Sequence, residues 1–380
     1  MMKDFPTIDL QKVRSAIAGR TEFIEANRGD HIIFNYNFVL PDSFDCEIRR
    51  ECRGLVFSPE GKVLSRRFHK FFNMGEREET SVSSIFAKMN NVQHKILEKL
   101  DGSMIAPIPF NDGKNIRWGT KMGLTEISSM VEEYIKNNAN RKYNVFAKDC
   151  YSCDITPIFE YIGPKNRVVI KYDQEDLILV AIRHNVYGRY MSYEMVKMMG
   201  EEYNIPVVPV LYIDFKKVHE SLNYEGVVVS FDDGHKVKIK TDWYVHLHNA
   251  KDDMMNEKNM IHLILNDTVD DLIPLLEPED VNKIVEYTND LNYSIVVQAR
   301  FIQNLIVSLR NSGIDRKTFA LTQAKKLNSV VSSIVFKNWD KDVPSLVDIR
   351  SFLVEYALKN TKTKNDVEEL RKWFQFKTWV

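Results

Sequence analysis

The sequence predicts an α+β fold: an N-terminal domain with mostly antiparallel sheets, followed by an all-helical C-terminal domain. Short β-rich runs bounded by turn residues recur over the first two-thirds of the chain. After about residue 248 strand-like runs vanish, Pro and Gly become rare, and helical spacing takes over. We therefore expect one domain at residues 1–248 and a second at 249–380, since 380 residues suffice for two buried cores.

The N-terminal elements follow from β-rich runs alternating with turn signals. Turns are expected at residues 58–61 and 232–234, and a helix is expected at residues 125–138. The runs expected to form strands are residues 31–36, 55–58, 167–171, 177–182, 226–231 and 236–240.

The C-terminal elements follow from the helical period. Apolar residues from Val281 to Leu309 recur near every 3.6 residues, and Gly313 follows as a stop signal. Residues 345–359 and 366–376 are expected to form further helices.

Composition narrows the class of protein. With 52 Lys and Arg against 53 Asp and Glu, the formal net charge is -1, so any nucleic-acid surface must be a local arrangement of basic residues. No signal peptide is recognisable at the N-terminus. The longest apolar run, residues 177–182, is far shorter than the roughly 20 residues that span a bilayer. These features predict a cytoplasmic protein with no membrane partner.

The four cysteines are expected to be reduced thiols. Cys150 and Cys153 have the spacing of a zinc knuckle or redox pair, whereas Cys46 and Cys52 stand six apart and form no matching second pair. Buried or incidental thiols are the favoured interpretation, and a metal or redox role is the alternative.

The string Lys99-Leu100-Asp101-Gly102-Ser103 is the first candidate for chemistry. Lysine is a covalent nucleophile only when neutral, so its reference pKa of about 10.4 must be lowered by nearby positive charge or by burial. The Asp-Gly pair suits a tight turn that presents the lysine at a strand end. Such strings also occur on ordinary surface turns, so this one needs independent support.

A predicted hairpin over residues 225–240 supplies that support, because Asp-Gly between two β-rich runs is a hairpin signal. If residues 233 and 234 form the whole loop, Lys238 faces Val229, and Glu225, Lys238 and Lys240 project from one face. Two lysines beside a carboxylate suit a nucleotide phosphate and its divalent cation. The alternative is an amphipathic strand with its lysines in solvent.

Further candidates lie outside these strings. Glu160 is a carboxylate inside an apolar run, and such a group needs a partner, for example a ribose hydroxyl, a metal or an arginine. Tyr36, Arg53, Lys70 and Lys121 stand near strand ends or aromatic residues, where each also has an ordinary interpretation as a surface ion pair or a core aromatic.

The order of the strings resembles the motif series of the covalent nucleotidyltransferases, which comprise DNA ligases, RNA ligases and mRNA capping enzymes. That series is formed by residues 99–103, 159–162, 225–229 and 236–240. The finer resemblance, over residues 31 to 320, is to the T-even phage RNA ligase 1 family. It is supported by residues 34–37, 51–54, 70–73, 166–169, 241–244 and 315–320.

This resemblance implies an ATP-dependent RNA ligase that joins 5′-phosphate and 3′-hydroxyl RNA ends through a lysyl-adenylate and an adenylylated RNA, with ATP and Mg²⁺ as cofactors. It implies that Lys99 carries the adenylate, that Lys238 and Lys240 act in catalysis, and that Glu225 and Asp270 bind metal. The nucleotide-binding residues that it implies are Tyr36, Arg53, Lys70, Lys121, Glu160, Lys238, Lys240 and Tyr244.

The resemblance also implies RNA repair in the host cytoplasm of a phage, with cleaved tRNA as a candidate substrate. We expect a monomer that acts after an end-healing kinase and phosphatase. The helical domain would recognise the RNA, and its segment 371–374, basic and aromatic, suits either base stacking or an ordinary helix core. The alternatives are a DNA ligase or capping enzyme, which the helical C-terminal region disfavours, and a non-catalytic phage assembly or nucleotide-dependent RNA-binding protein.

Overall fold

The computed structural model describes residues 5–213, 215–221, 224–246, 248, 256–266, 268–269, 273, 276, 278–340 and 343–379. The chain divides into two compact units, Met1–Val245 and His246–Val380. The described strands all belong to the first unit, and the described elements of the second are helical. The predicted α+β class is therefore confirmed.

Three four-stranded sheets build the described part of the first unit. The first is antiparallel, in the order β1 (Phe23–Asn27), β2 (Ile32–Tyr36), β3 (Leu55–Phe57) and β4 (Val63–Ser65). The second is antiparallel, in the order β10 (Asp176–His184), β9 (Ile155–Ile162), β7 (Ser103–Phe110) and β8 (Asn115–Gly119). The third has the order β5 (Phe72–Asn73), β12 (Lys236–Lys240), β11 (Gly226–Phe231) and β6 (His94–Glu98), with only β5 and β12 parallel.

Several helices of the first unit begin where a short polar side chain caps them. The side chains of Asp9, Ser81 and Ser192 each accept a hydrogen bond from a backbone N–H in the first helical turn that follows, which satisfies donors left free at a helix start. The helices are α1 (Leu10–Ile17), α2 (Glu47–Glu51), α3 (Val82–Asn91), α4 (Glu126–Lys136), α5 (Lys142–Ser152) and α6 (Tyr193–Glu202).

The third sheet separates a core from an open face by simple alternation. Val227, Val229, Val237 and Ile239 point to one side, where they pack with Ile85 of α3 in a buried cluster. Residues at the alternate positions therefore project from the opposite side of the sheet. That opposite side carries the lysines of β12.

A buried ion cluster ties three distant segments of the first unit together. The Glu51 carboxylate accepts hydrogen bonds from Arg183 at 2.7 and 2.8 Å and from Arg66 at 3.1 Å, and all three residues are nearly inaccessible to solvent. Arg66 also donates to the backbone oxygens of Pro6 and Asn185. Because both cations share one carboxylate, the pKa of Glu51 lies below its usual range despite burial.

The strand predicted at residues 167–171 is wrong, because this segment is irregular. The backbone N–H groups of Val169 and Ile170 donate to the carboxylate of Asp101 at 2.7 and 2.6 Å. These donors therefore bind a side chain instead of a neighbouring strand, which apolar patterning alone does not reveal.

The second unit consists of helices around its own core. Ile284, Leu291, Ile295 and Ile302 are buried along the longest helix, at the positions that the period predicted, and Gly313 follows it with φ +67°. The helices are α7 (Glu257–Leu265), α8 (Pro278–Ser312), α9 (Arg316–Thr322), α10 (Ser329–Lys337), α11 (Leu346–Asn360) and α12 (Lys364–Phe374).

The basic and aromatic segment at residues 371–374 contributes to this core. Phe374 is buried, the Trp373 ring packs edge-on against Tyr356, and Arg371 forms an ion pair with Glu257 of α7. Of these four residues only Lys372 is exposed, and it forms an ion pair with Glu369 at the surface. The segment thus serves helix packing.

Within the described residues the structure bears on three points: membrane spanning, the cysteines and metal binding. No helix there combines the length and the apolar character needed to cross a membrane. The four cysteines are free thiols, and burial raises the pKa of Cys150. Over the same residues no three His, Cys, Asp or Glu side chains come together as a potential metal site.

Candidate active site

Strand pairing brings two lysines to either side of a glycine. Gly226, the first residue of β11, lies opposite Lys240 of β12. On its other side, the backbone N–H of Lys99, immediately after β6, donates to the Gly226 oxygen at 2.9 Å. Laterally paired residues share a face, so Lys99 and Lys240 project to the same side with no side chain between them.

Gly226 cannot be another residue without displacement of the sheet. Its φ is +147°, and a Cβ there would lie 2.0 Å from the backbone oxygen of Ile239 and 2.8 Å from the Cα of Lys240. The close approach of β11 to β12 therefore requires glycine.

Glu225 joins the two lysines. Its side chain is 4% exposed, and its carboxylate contacts Lys99 Nζ at 2.5 Å and Lys240 Nζ at 3.4 Å. One carboxylate thus contacts two cations.

The predicted hairpin register is wrong by one residue. Lys238 pairs with Val228 instead of Val229, because the loop has three residues, with Phe231 bonded to His235 and Gly234 at φ +88°. By strict alternation Glu225 would then point away from the lysines. It reaches Lys240 because it precedes the strand, where the pleat no longer dictates direction.

A cavity of about 690 Å³ lies above this row of residues. Seven basic and three acidic side chains line it, so its wall carries a net positive charge suited to a polyanion. The basic residues are Arg53, Lys70, Lys99, Lys121, Lys236, Lys238 and Lys240, and the acidic residues are Glu98, Glu126 and Glu160. Tyr36 also lines the cavity, together with apolar residues Leu97, Val180, Val208 and Val228.

Burial and neighbouring charge shift two ionisable groups in this cavity. Burial, reinforced by repulsion from Lys70, Arg53 and Lys99, lowers the pKa of Lys238 to about 7. Burial, opposed by Lys99 and reinforced by Glu225, raises the pKa of Glu160 to about 7. Both groups change charge near neutrality, a property that clusters at functional sites.

Tyr36 and the cations around it form one wall. The ammonium groups of Lys70 and Lys121 lie 5.9 and 5.1 Å from the centre of the Tyr36 ring. Arg53 donates to the sulfur of Met104 at 3.0 Å. These three cations thus lie against aromatic or thioether groups.

Asp101 is a positioning residue whose partners the sequence did not reveal. One oxygen accepts the N–H groups of Val169 and Ile170, and the other accepts the hydroxyl of Tyr244 at 2.7 Å. Tyr244 is buried outside the cavity wall, where its ring lies 4.9 Å from the Lys240 ammonium. Asp101 thereby fixes the turn after Lys99 and the ring beside Lys240.

The structure therefore gathers most of the residues singled out from the sequence. Tyr36, Arg53, Lys70, Lys99, Lys121, Glu160, Lys238 and Lys240 line one cavity, with Glu225 and Tyr244 directly behind it. Asp270, expected to bind a second metal, lies outside the described residues. Lys236 was missed as a candidate, although its position two residues before Lys238 on a strand signals a shared face.

This basic cavity and its row of lysines define the class of protein as an enzyme that acts on a phosphorylated substrate. A family described as RNA ligase matches residues 51–244. The chain is 29% identical over 335 residues to a provisionally named RNA ligase of Thermovibrio ammonificans, covering 84% of this chain and 86% of that protein. It is 25% identical over 364 residues to the RNA ligase of Rhodothermus phage RM378, covering 78% of this chain and 82% of the relative.

The chain belongs to the T-even phage RNA ligase 1 family, and it is an RNA ligase. RNA ligase 1 of bacteriophage TS2126 is a further relative, 26% identical over 302 residues, which are 75% of this chain and 72% of that one. Among solved structures, an apo variant of Naegleria gruberi RNA ligase aligns at 17% identity with a TM-score of 0.35. That alignment covers 43% of this chain and 54%, about half, of the Naegleria protein.

Proposed function

We propose that this RNA ligase is ATP-dependent and seals 5′-phosphate to 3′-hydroxyl RNA ends through an adenylate on Lys99. The observation that supports this most is the row of Lys99, Glu225 and Lys240 at the edge of a cavity lined by seven cations. A lysine held at a precise position beside a group that can take its proton is the arrangement that covalent catalysis needs.

In the first step Lys99 Nζ attacks the α-phosphorus of ATP. The N–P bond forms, the P–O bond to pyrophosphate breaks, and its electron pair leaves with the pyrophosphate. Lys99 must lose a proton to attack, and the Glu225 carboxylate at 2.5 Å is positioned to accept one. Lys240 and Lys238, on the same face, lie where they can neutralise the charge on the α-phosphate.

Lys238 gains its charge when phosphate is present. Its pKa of about 7 leaves it partly neutral at neutral pH, because burial and the cations around it disfavour another positive charge. An anion beside it reverses that balance and favours the ammonium. Nucleotide binding and protonation of Lys238 are therefore coupled.

The residues present fit a divalent cation that is shared with the nucleotide. Mg²⁺ is commonly bound by one or two carboxylates together with substrate phosphates, and Glu225 is a single buried carboxylate at the cavity edge. Such a cation, held by Glu225 and phosphate oxygens, would supply charge neutralisation during phosphoryl transfer. Asp270 stays a prediction for a second metal.

The remaining steps move the adenylate to the RNA. The 5′-phosphate of one RNA end takes the AMP from Lys99, and the 3′-hydroxyl of the other end displaces AMP to form the phosphodiester. We propose that residues 1–248 perform this chemistry and that residues 249–380 recognise the RNA. A monomer that repairs cleaved tRNA in the host cytoplasm, after a kinase and phosphatase have healed the ends, is the biological setting we propose.

The test is adenylylation with α-labelled ATP and Mg²⁺. The parent should acquire acid-stable label, and Lys99→Ala should acquire none. Lys95→Ala is the matched control, since Lys95 lies on β6, the strand that leads to Lys99, but pairs with Glu194 at the surface. It should label like the parent.

Label on Lys99→Ala, or absence of label on the parent, would contradict the mechanism. Parent protein that binds ATP and RNA without label would favour a nucleotide-dependent binding protein. A second measurement offers RNA or DNA strands with 5′-phosphate and 3′-hydroxyl ends, and ATP or GTP. Joining of RNA with ATP is expected, whereas a preference for DNA or GTP would favour a DNA ligase or a capping enzyme.

A further inference from the structure

A second cavity of about 240 Å³ adjoins the nucleotide cavity. The two share Lys70, Phe71 and Lys236 in their linings, so these residues lie at the junction between them. Lys70 is one of the nucleotide-binding residues that the resemblance implies, whereas Lys236 and the second cavity have no role in the chemistry proposed above.

Lys236 extends the row of lysines on β12. It pairs with Ser230, and Lys238 and Lys240 follow at two-residue intervals on the same face. Successive members of such a row stand roughly 7 Å apart. Since Lys99 is level with Lys240, Lys236 lies at the far end of the row from the nucleophile.

No carboxylate of the described residues forms an ion pair with Lys236, although Glu47, Glu51 and Glu79 also line the second cavity. Its side chain is 5% exposed, its ammonium donates to Ser230 Oγ at 2.5 Å, and the ring centres of Tyr190 and Phe68 lie at 4.5 and 5.7 Å. Burial, with repulsion from Arg183, lowers its pKa to about 7. A buried lysine without a carboxylate is costly unless a ligand supplies the negative charge.

Lys70 is in a similar state at the same junction. Its ammonium lies over the rings of Phe44 and Phe72, at 5.3 and 5.4 Å, and no carboxylate of the described residues pairs with it. By contrast, two other cations of the second cavity are neutralised, Arg50 by Glu79 at 2.8 Å and Lys88 by Asp233 at 2.6 Å. The two unneutralised lysines thus flank the passage between the cavities.

In-line displacement places the leaving group opposite the attacking atom. With Lys99 attacking at the Lys240 end of the row, the leaving pyrophosphate points toward the Lys236 end. We propose that Lys236, together with Lys70, binds the departing pyrophosphate at this junction, and that the second cavity receives it. This inference rests on the proposed ATP-dependent adenylylation of Lys99.

Lys236 would then act in only one of the three chemical steps. Formation of the enzyme adenylate releases pyrophosphate, and reversal of that step consumes it. Sealing of an RNA that is already adenylylated involves AMP as leaving group and no pyrophosphate. A residue that merely supports the fold would affect all steps alike.

The test compares Lys236→Met with the parent in three measurements. Loss of one charge-assisted hydrogen bond to the leaving group should slow formation of the adenylate roughly 10- to 100-fold. The pyrophosphate concentration that half-discharges the preformed adenylate should rise by a similar factor. Sealing of chemically pre-adenylylated RNA should stay within about twofold of the parent rate. Lys95→Met, which removes a lysine that pairs with Glu194 at the surface and lines neither cavity, is the matched control and should resemble the parent throughout.

An equal loss in adenylylation and in sealing, or an unchanged dependence on pyrophosphate, would overturn the inference. Thermal unfolding of each variant checks the fold, and Lys236→Gln provides a second variant of similar length should Lys236→Met fail to fold. Absence of adenylate on the parent would refute the proposed function itself. Normal adenylylation of a folded Lys236 variant, with a labelled parent, would refute only the role of Lys236.

Discussion

Gly226→Ala tests how far the site depends on the close approach of β11 and β12. The new methyl carbon would lie 2.0 Å from the backbone oxygen of Ile239, at a φ of +147° that side chains rarely adopt. Backbone strain of this kind costs about 1–3 kcal/mol, and forcing an added carbon into packed surroundings costs about another 1–3 kcal/mol. We expect a combined loss of roughly 2–6 kcal/mol in the free energy of unfolding.

Gly75→Ala separates the two contributions. Gly75 has φ +81°, but a Cβ there meets no atom within 4 Å. This control should therefore show the backbone cost alone, about 1–3 kcal/mol.

Urea unfolding of both variants and the parent measures the difference, and adenylylation with labelled ATP reports the site. Since the shift of β11 would separate Lys99 from Lys240, Gly226→Ala should also lose adenylylation, whereas Gly75→Ala should keep it. Equal unfolding midpoints for the two variants would refute the reasoning from Ile239, and so would a fully active Gly226→Ala enzyme.

The remaining predictions concern buried charge. Glu51→Gln should destabilise the protein by about 3–5 kcal/mol, because it leaves Arg66 and Arg183 buried without a carboxylate. Glu79→Gln is the control at a partly exposed ion pair and should cost less than about 1 kcal/mol. Equal thermal unfolding midpoints for the two variants would contradict this prediction. Because burial raises the pKa of Glu160 to about 7, its contribution to stability is present at pH 4 and is lost as pH rises through 7. Glu160→Gln should therefore gain stability relative to the parent between pH 5 and pH 8, and a gap independent of pH would exclude the shift.

Much of the fold was predictable because local patterns and tertiary structure agree. Both strands of the hairpin at residues 226–240 and the long helix up to Gly313 follow from periodicity and turn signals. The hairpin register was not predictable, because one extra loop residue changes every pairing while leaving the apolar pattern of each strand intact. The irregular segment at residues 167–171 was not predictable for a different reason: the N–H groups of Val169 and Ile170 bind Asp101, which lies 68 and 69 residues earlier.

The candidate site was predictable as a set of residues but not as an arrangement. The resemblance supplied Lys99, Glu225 and Lys238, and the structure brings them together at one cavity. The two-residue spacing places Lys236 on the same face as Lys238, but such a strand position fits a solvent-exposed lysine equally well, and the resemblance did not include Lys236. The burial of Lys236 and the packing of the Tyr190 ring against its ammonium distinguish the two.

The buried cluster at Glu51 also constrains how the first unit can fold. Its hydrogen bonds join Glu51 to Arg183, 132 residues later, so the cluster closes a long loop whose entropy must be lost before the contact forms. Contacts of such sequence separation slow folding. A fragment that ends before residue 183 would also leave the Glu51 carboxylate with only Arg66 as a buried partner. The catalytic unit is therefore best dissected by substitution, since shorter pieces of it lack the contact that joins its segments.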